Sequence, residues 1–229
     1  YIRERQLIFL FSTDQINACP LELIPDLSQE QLEELSLENV RNLTKEQITS
    51  IVEANKWDVS LSEKLSVAQM QGFDSQILID LLSVDQIKEN LTQGQLPYLV
   101  AVDQINACPM ELVASLTQGQ VQQLRSDVIL EYLQEGFFPQ EPRDLLSREQ
   151  VIAFAETAEL MPYLTPAQIN AYLSPEHLTY ISPEQIRGLT KKELVLSLSD
   201  EQIGLLETPE ALQAVPLMRV RNFQTKDQF

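Results

Sequence analysis

The chain has 229 residues, 44% of them hydrophobic, and sets 34 acidic against 16 basic side chains for a formal charge of −18. Such acidity works against nucleic acid, whose affinity comes mostly from Lys and Arg neutralising phosphates, and against anionic membrane surfaces. Six glycines and twelve prolines suit capped helices better than hairpins or barrels, and neither a sustained strand alternation nor a run long enough to span a bilayer is visible.

One phrase recurs every eight or nine residues: an apolar residue, Ser or Thr, two variable positions, Gln or Glu, then an apolar residue. Ser or Thr followed three residues later by Gln or Glu is a capping box, in which each side chain satisfies a backbone N–H at the start of a helix. The flanking apolar residues can staple the entry to the helix. Leu43 with Ile48, Leu91 with Leu96, Leu189 with Leu194 and Leu198 with Ile203 have that spacing. Starts this frequent leave one or two turns per helix, too few for stability alone. The predicted fold is therefore all-α: a superhelical solenoid of short capped helices with a few longer ones, in which each unit is held by its neighbours.

In chain order, Asp14–Pro20 opens the first block and Leu27-Ser28-Gln29-Glu30-Gln31-Leu32 supplies its clearest box. The series continues through Asn39 and Leu43-Thr44-Lys45-Glu46-Gln47-Ile48. The register is lost between about Thr49 and Gln69, where Ile48, Ile51, Val52 and Trp57 predict one longer helix. Phe73-Asp74-Ser75 restarts it, and Gln86, Gln95, Gln104, Glu111 and Gln120 carry it onward. Asp103–Pro109 repeats Asp14–Pro20 unchanged, and the match widens to residues 6–35 against 95–124 at an offset of 89 residues. Duplication of a multi-unit cassette suits a scaffold better than an active-site segment.

A second break runs from Leu124 to Leu146. Val128, Leu130, Tyr132 and Leu133 predict a helix ended by Gly136, with 137–142 as a loop. Ser147-Arg148-Glu149-Gln150 then caps a helix bearing Val151, Ile152, Phe154 and Ala155. Gln168, His177, Gln185, Glu193 and Gln202 complete the series, and Pro166, Pro175, Pro183 and Pro209 stand at first helical positions, where no N–H is needed. The whole of 1–229 is expected to be one continuous array. Its start at Tyr1, in mid-phrase, suggests an excerpt of a longer protein, so missing targeting signals carry no information.

No constellation for catalysis stands out, and no enzyme activity, cofactor or metal is expected. His177 is the single histidine and occupies a Gln position of the phrase; with two separated cysteines no zinc spacing can be written. Cys19 and Cys108 hold equivalent places in the two copies, and their separation argues against a disulfide. Asn42-Leu43-Thr44 and Asn90-Leu91-Thr92 are glycosylation sequons that the phrase itself can generate. Aromatic residues on the irregular segments, Trp57, Phe73, Phe137 and Phe138, are the candidate protein-contact residues. The acidity suits solubility and the first turns of helices, or an acidic face for a basic partner.

The units Leu164-Thr165-Pro166-Ala167-Gln168-Ile169 and Leu173-Ser174-Pro175-Glu176-His177-Leu178 resemble those of the mesothelin, stereocilin and otoancorin superfamily. That resemblance implies a superhelical array of short helices and an extracellular adhesion role. The first of these segments also looks like the opening of TAL-effector repeats. The chain lacks their 34-residue period, Gly-rich base-reading loop and basic surface, so DNA binding is not implied.

The expected function is a non-enzymatic protein–protein interaction scaffold, with a protein partner, no nucleic acid and no membrane insertion. A bacterial repeat protein or effector binding a host protein is its sharpest form, in keeping with the Gln-rich, duplicated, acidic style. The location favoured is intracellular, including a secreted bacterial protein acting in a host, with the cell surface as alternative. The other readings are a mesothelin-like adhesion module and an array that recruits substrate for a catalytic domain outside this segment.

Overall fold

A computed structural model describes residues 4–216, and every regular element among them is an α-helix or a 3-10 helix. The chain divides into two compact units, the first ending at Leu116 and the second starting at Thr117. Most helices are four to seven residues long; Lys45–Glu53, Ser126–Gln134 and Arg148–Ala155 are the longer ones.

In the first unit, two-sided capping boxes open helices at Ser12, Ser28, Thr44, Ser66 and Ser83, each with Gln three residues on. In the second, Ser147, Thr165, Ser182 and Ser199 do the same. The proposed staple residues Leu43, Ile48, Leu91, Leu96, Leu189, Leu194, Leu198 and Ile203 are all buried. Pro166, Pro175, Pro183 and Pro209 sit at helix starts.

Stacking within each unit is written in the Gln side chains. The amide of Gln31 donates to the carbonyls of Leu7 and Leu10, at 2.7 and 3.0 Å. Gln69 donates to Val40 and Leu43, both at 2.9 Å. Gln95 reaches Met70 and Phe73, and Gln104 reaches Ile79 and Leu82. In the second unit Gln150 reaches Val121 and Leu124, and Gln185 reaches Met161 and Leu164. Each acceptor lies 21 to 29 residues upstream, at the last turn of an earlier helix, where carbonyls have no partner within their own helix. The box residue thus completes the start of its own helix and the end of another. Ser62 aside, every buried polar residue is a Gln of this position: Gln95, Gln104, Gln120, Gln150, Gln168 and Gln185, among the described residues.

A forward link complements it. In Gln168-Ile169-Asn170, Gln168 donates back to the carbonyl of Arg143 at 2.6 Å and Ile169 is fully buried. Asn170 donates forward to the carbonyl of Gly188 and accepts from the N–H groups of Thr190 and Lys191. Asn17, in the same tripeptide, donates to the carbonyl of Glu34 and accepts from the N–H of Ser36.

Several sequence expectations need correcting. The helix begun at Lys45 stops at Glu53, short of Trp57. Asn55 adopts φ 56°, and the N–H of Lys56 returns to the carbonyl of Ile51 at 3.1 Å, a Schellman closure that turns the chain. Gly136, at φ 80°, ends Ser126–Gln134 the same way, with Phe137 N–H bonded to the carbonyl of Tyr132. These are the two left-handed residues among those described, and each ends a nine-residue helix.

The predicted loop 137–142 is shorter, because Gln140–Arg143 is a helix with Pro142 in its first turn. The rhythm lost after Thr49 resumes at Ser66, after a helix capped by Asp58. Glu111 and Glu193, counted with the Gln series, form no box, for Pro109 and Lys191 occupy the cap positions. Asn39 makes half of one: Ser36 accepts from its N–H while its shorter amide turns to Asn17.

Candidate interaction surface

The four aromatic candidates fall in different environments. Phe73 is 2% exposed and Phe138 3% exposed. Both are therefore core residues and not surface contacts: an apolar side chain just beyond a helix end folds back under it, and Phe73 also supplies the carbonyl that Gln95 binds. Trp57 is half-buried, with its indole N–H on the hydroxyl of Ser62 at 2.9 Å. Phe137 alone is exposed, at 38%. Trp57 and Phe73 belong to the first unit and Phe137 and Phe138 to the second.

The conspicuous outward apolar groups of the first unit are elsewhere. Leu37, Val59, Val67, Val84 and Val102 are each at least 45% exposed, and each is the first residue of its helix, directly after the cap. Nothing in the helix requires an aliphatic side chain there, since Thr13, Gln29 and Lys45 fill the same position in other units. The Gln bonds stack Val67's helix on Leu37's, and Gln86, donating to the carbonyl of Ser62 at 2.7 Å, stacks Val84's helix on Val59's. These residues occupy one of the two variable positions of the phrase, whose periodicity is dominated by the buried positions.

A groove of about 870 Å³ opens near the beginning of the first unit. Buried Leu7, Leu10, Ile16 and Leu27 line its depth, and Ile8 and Phe11, 69% and 83% exposed, stand at its edge. Asp26, Glu30, Glu34 and Lys56 supply its charges. Glu30 accepts from the hydroxyl of Ser28 at 2.8 Å and Glu34 from that of Thr13 at 2.6 Å. The ammonium of Lys56 donates to the carbonyl of Pro25 at 3.1 Å. Hydrogen bonds from its own backbone N–H and from Ser28 hold the Glu30 carboxyl below the usual range.

Potentially reactive groups are absorbed into the scaffold. His177 Nδ1 accepts from the N–H of Ser174 at 3.2 Å, as Gln does in other boxes. Cys19 and Cys108 are free and buried. Burial, with Asp26 nearby, raises the Cys19 thiol above its ordinary range; burial and Glu111 push Cys108 up to about 12. Among the described residues no group of three or more His, Cys, Asp or Glu is placed to hold a metal ion, and no helix is long and apolar enough to cross a membrane.

No protein-family model matches the chain, and no characterised protein or solved structure matches it significantly.

Proposed function

We propose that this chain is a non-enzymatic protein–protein interaction scaffold, and specifically a repeat protein of the kind bacteria use to engage a host protein. The observation that carries this reading is the outward aliphatic residue repeated at the first helical position in five units, Leu37, Val59, Val67, Val84 and Val102. Side chains that leave water on binding contribute about 25 cal/mol per Å² of apolar surface, and repetition places them on stacked helices. A recurring apolar position that stays at least 45% exposed is what an extended binding face needs.

The test is partner capture from host-cell lysate by the wild type and by a variant with all five residues changed to Ser, a residue the first turn accepts. A protein retained by the wild type and lost by the equally helical variant supports the reading. Capture of nothing by the wild type overturns it.

A second reading, an extracellular adhesion module, draws on the exposed sequon residue Asn42. Asn90 is half-buried, with its amide on the carbonyl of Gln86 at 3.2 Å. Expression in a secretory host, followed by glycopeptide mapping, decides it: a glycan on Asn42 in a folded, secreted chain favours adhesion, and an unmodified secreted chain removes its support.

A further inference from the structure

We propose that the groove lined by Leu7, Leu10, Ile16 and Leu27 takes a short basic amphipathic segment of a protein partner. An apolar side chain would seat beside Ile8 and Phe11 while Lys or Arg meets Asp26, Glu30 and Glu34. The inference rests on the interaction reading above and names the chemistry of what binds.

Three observations converge on that occupant. First, the volume of about 870 Å³ lies within the range of built ligand sites, about 300 to 1,000 Å³, and its depth is aliphatic. Second, Ile8 and Phe11 remain 69% and 83% exposed at its edge, although large apolar groups of this kind are what partners bury. Third, its charge is one-sided. Three carboxylates face one ammonium, and the ammonium is already bonded to the carbonyl of Pro25. Glu34 accepts one hydroxyl hydrogen bond, and Glu30 accepts one from Ser28 and one from its own backbone N–H; an ionised carboxylate has about four acceptor sites, so both retain capacity for a cation.

The same charge selects among occupants. A second copy of the chain carries −18 and would meet the carboxylates with like charge, which costs affinity and slows encounter. Nucleic acid and anionic lipid are disfavoured on the same ground. A basic segment gains from both the local carboxylates and the field of the whole chain, which steers it at low salt. Lys and Arg also carry long aliphatic stems that can cover Ile8 and Phe11 while their charges stay wet.

The experiment uses the full chain and two fluorescein-labelled helical peptides with one Leu face, the other face being Lys in one and Glu in the other. Anisotropy is read at low and high salt on the wild type, on Phe11→Ala and Ile8→Ala, and on Glu30→Gln/Glu34→Gln, with Leu212→Ser in the second unit as control. Far-UV circular dichroism checks that each variant is folded; the replaced side chains are exposed, so the helices should persist. The expected result is binding of the Lys peptide alone and a loss of about tenfold in Phe11→Ala, which corresponds to about 1.4 kcal/mol. Salt dependence should flatten in the double Gln variant, and the control should be unchanged.

Equal binding of the two peptides, or affinity unchanged in Phe11→Ala and Ile8→Ala, overturns the groove. So does a concentration-dependent dimer in sedimentation that Phe11→Ala abolishes, because the occupant would then be a second copy. The two readings fail separately. If Phe11→Ala still captures the lysate partner that the five-Ser variant loses, the groove falls and the scaffold stands.

Discussion

The side-chain amide of Gln95 donates to the carbonyl oxygen of Met70 at 2.7 Å, while its own Oε1 accepts from the N–H and the hydroxyl of Thr92, both at 2.9 Å. A second bond from the same amide, to Phe73 at 2.9 Å, completes the set. Only a side chain with an acceptor on one branch and two donors on the other can do this. Glu satisfies a capping box as well as Gln does, but it has nothing to donate to the upstream carbonyls. The need for a donor accounts for Gln at the box position wherever it bridges two helices.

Gln95→Glu should therefore be far more damaging than its size suggests. A carboxylate 3% exposed would face two carbonyl oxygens with no donor between them, at an expected cost of about 3 kcal/mol or more. The deficit should shrink as pH falls, because the introduced carboxyl can donate to one carbonyl once protonated. Urea denaturation of wild type and variant at neutral and acidic pH checks it; an equal midpoint at neutral pH contradicts the bridging role.

The caps alone should matter less. Thr44 accepts from the N–H of Gln47 at 3.3 Å and Ser182 from that of Gln185 at 3.2 Å. Thr44→Ala and Ser182→Ala should each lose about 1 kcal/mol, visible as lowered denaturation midpoints with unchanged slopes.

Ala101→Ser should stabilise the chain. In the duplicated segment Ser12 caps Thr13–Asn17, whereas Ala101 stands in its place before Val102–Ile105. Gln104 is left with a buried Oε1 that has no hydrogen-bond partner. A hydroxyl at 101 can donate to that oxygen and cap the helix, for a gain of about 1 kcal/mol. A thermal midpoint that fails to rise would show that the position cannot form the box.

Two kinds of glycine should respond oppositely to Ala. A Cβ at Gly188 would lie 2.5 Å from Cβ of Pro166, and the Gly188 carbonyl is held by Asn170, so the close approach cannot relax freely. Gly188→Ala should cost about 1–3 kcal/mol. Gly94 and Gly119 have nothing within 4 Å of such an atom, lie inside helices, and should each gain about 0.5 kcal/mol as Ala.

The thiols should be silent in the native protein. With pKa values raised by burial, that of Cys108 up to about 12, both remain protonated near neutral pH and should react with a disulfide reagent only on opening. Because the folded value lies above the ordinary 9.0, this stabilisation is complete below pH 9 and is lost as pH rises towards 12. Burst labelling of Cys108 in the native state at pH 8 would contradict it.

The capping phrase made the helix starts at Ser28, Thr44, Ser147 and Ser182 legible, because a cap is a local bargain among four consecutive residues. It does not hold at Glu111 and Glu193, because those helices start one residue late, after Pro109 and Lys191, whose side chains close no box. The apolar pattern ran past the end of the Lys45 helix, at Glu53, because Asn55 adopts a left-handed turn that propensity alone does not demand. Phe73 and Phe138 looked like contacts for being on irregular segments; their burial depends on what packs over a helix end.

The sequence by itself determined that this chain is helical, where most helices begin, and that none is long enough to stand alone, all being consequences of hydrogen bonds closed within about four residues. Tertiary structure decided which earlier helix each Gln amide would finish, which aromatics would be core, and which first-turn aliphatics would face outward. The Gln bonds link residues 21 to 29 positions apart, and a pattern of neighbours holds no record of such pairings until the helices stack.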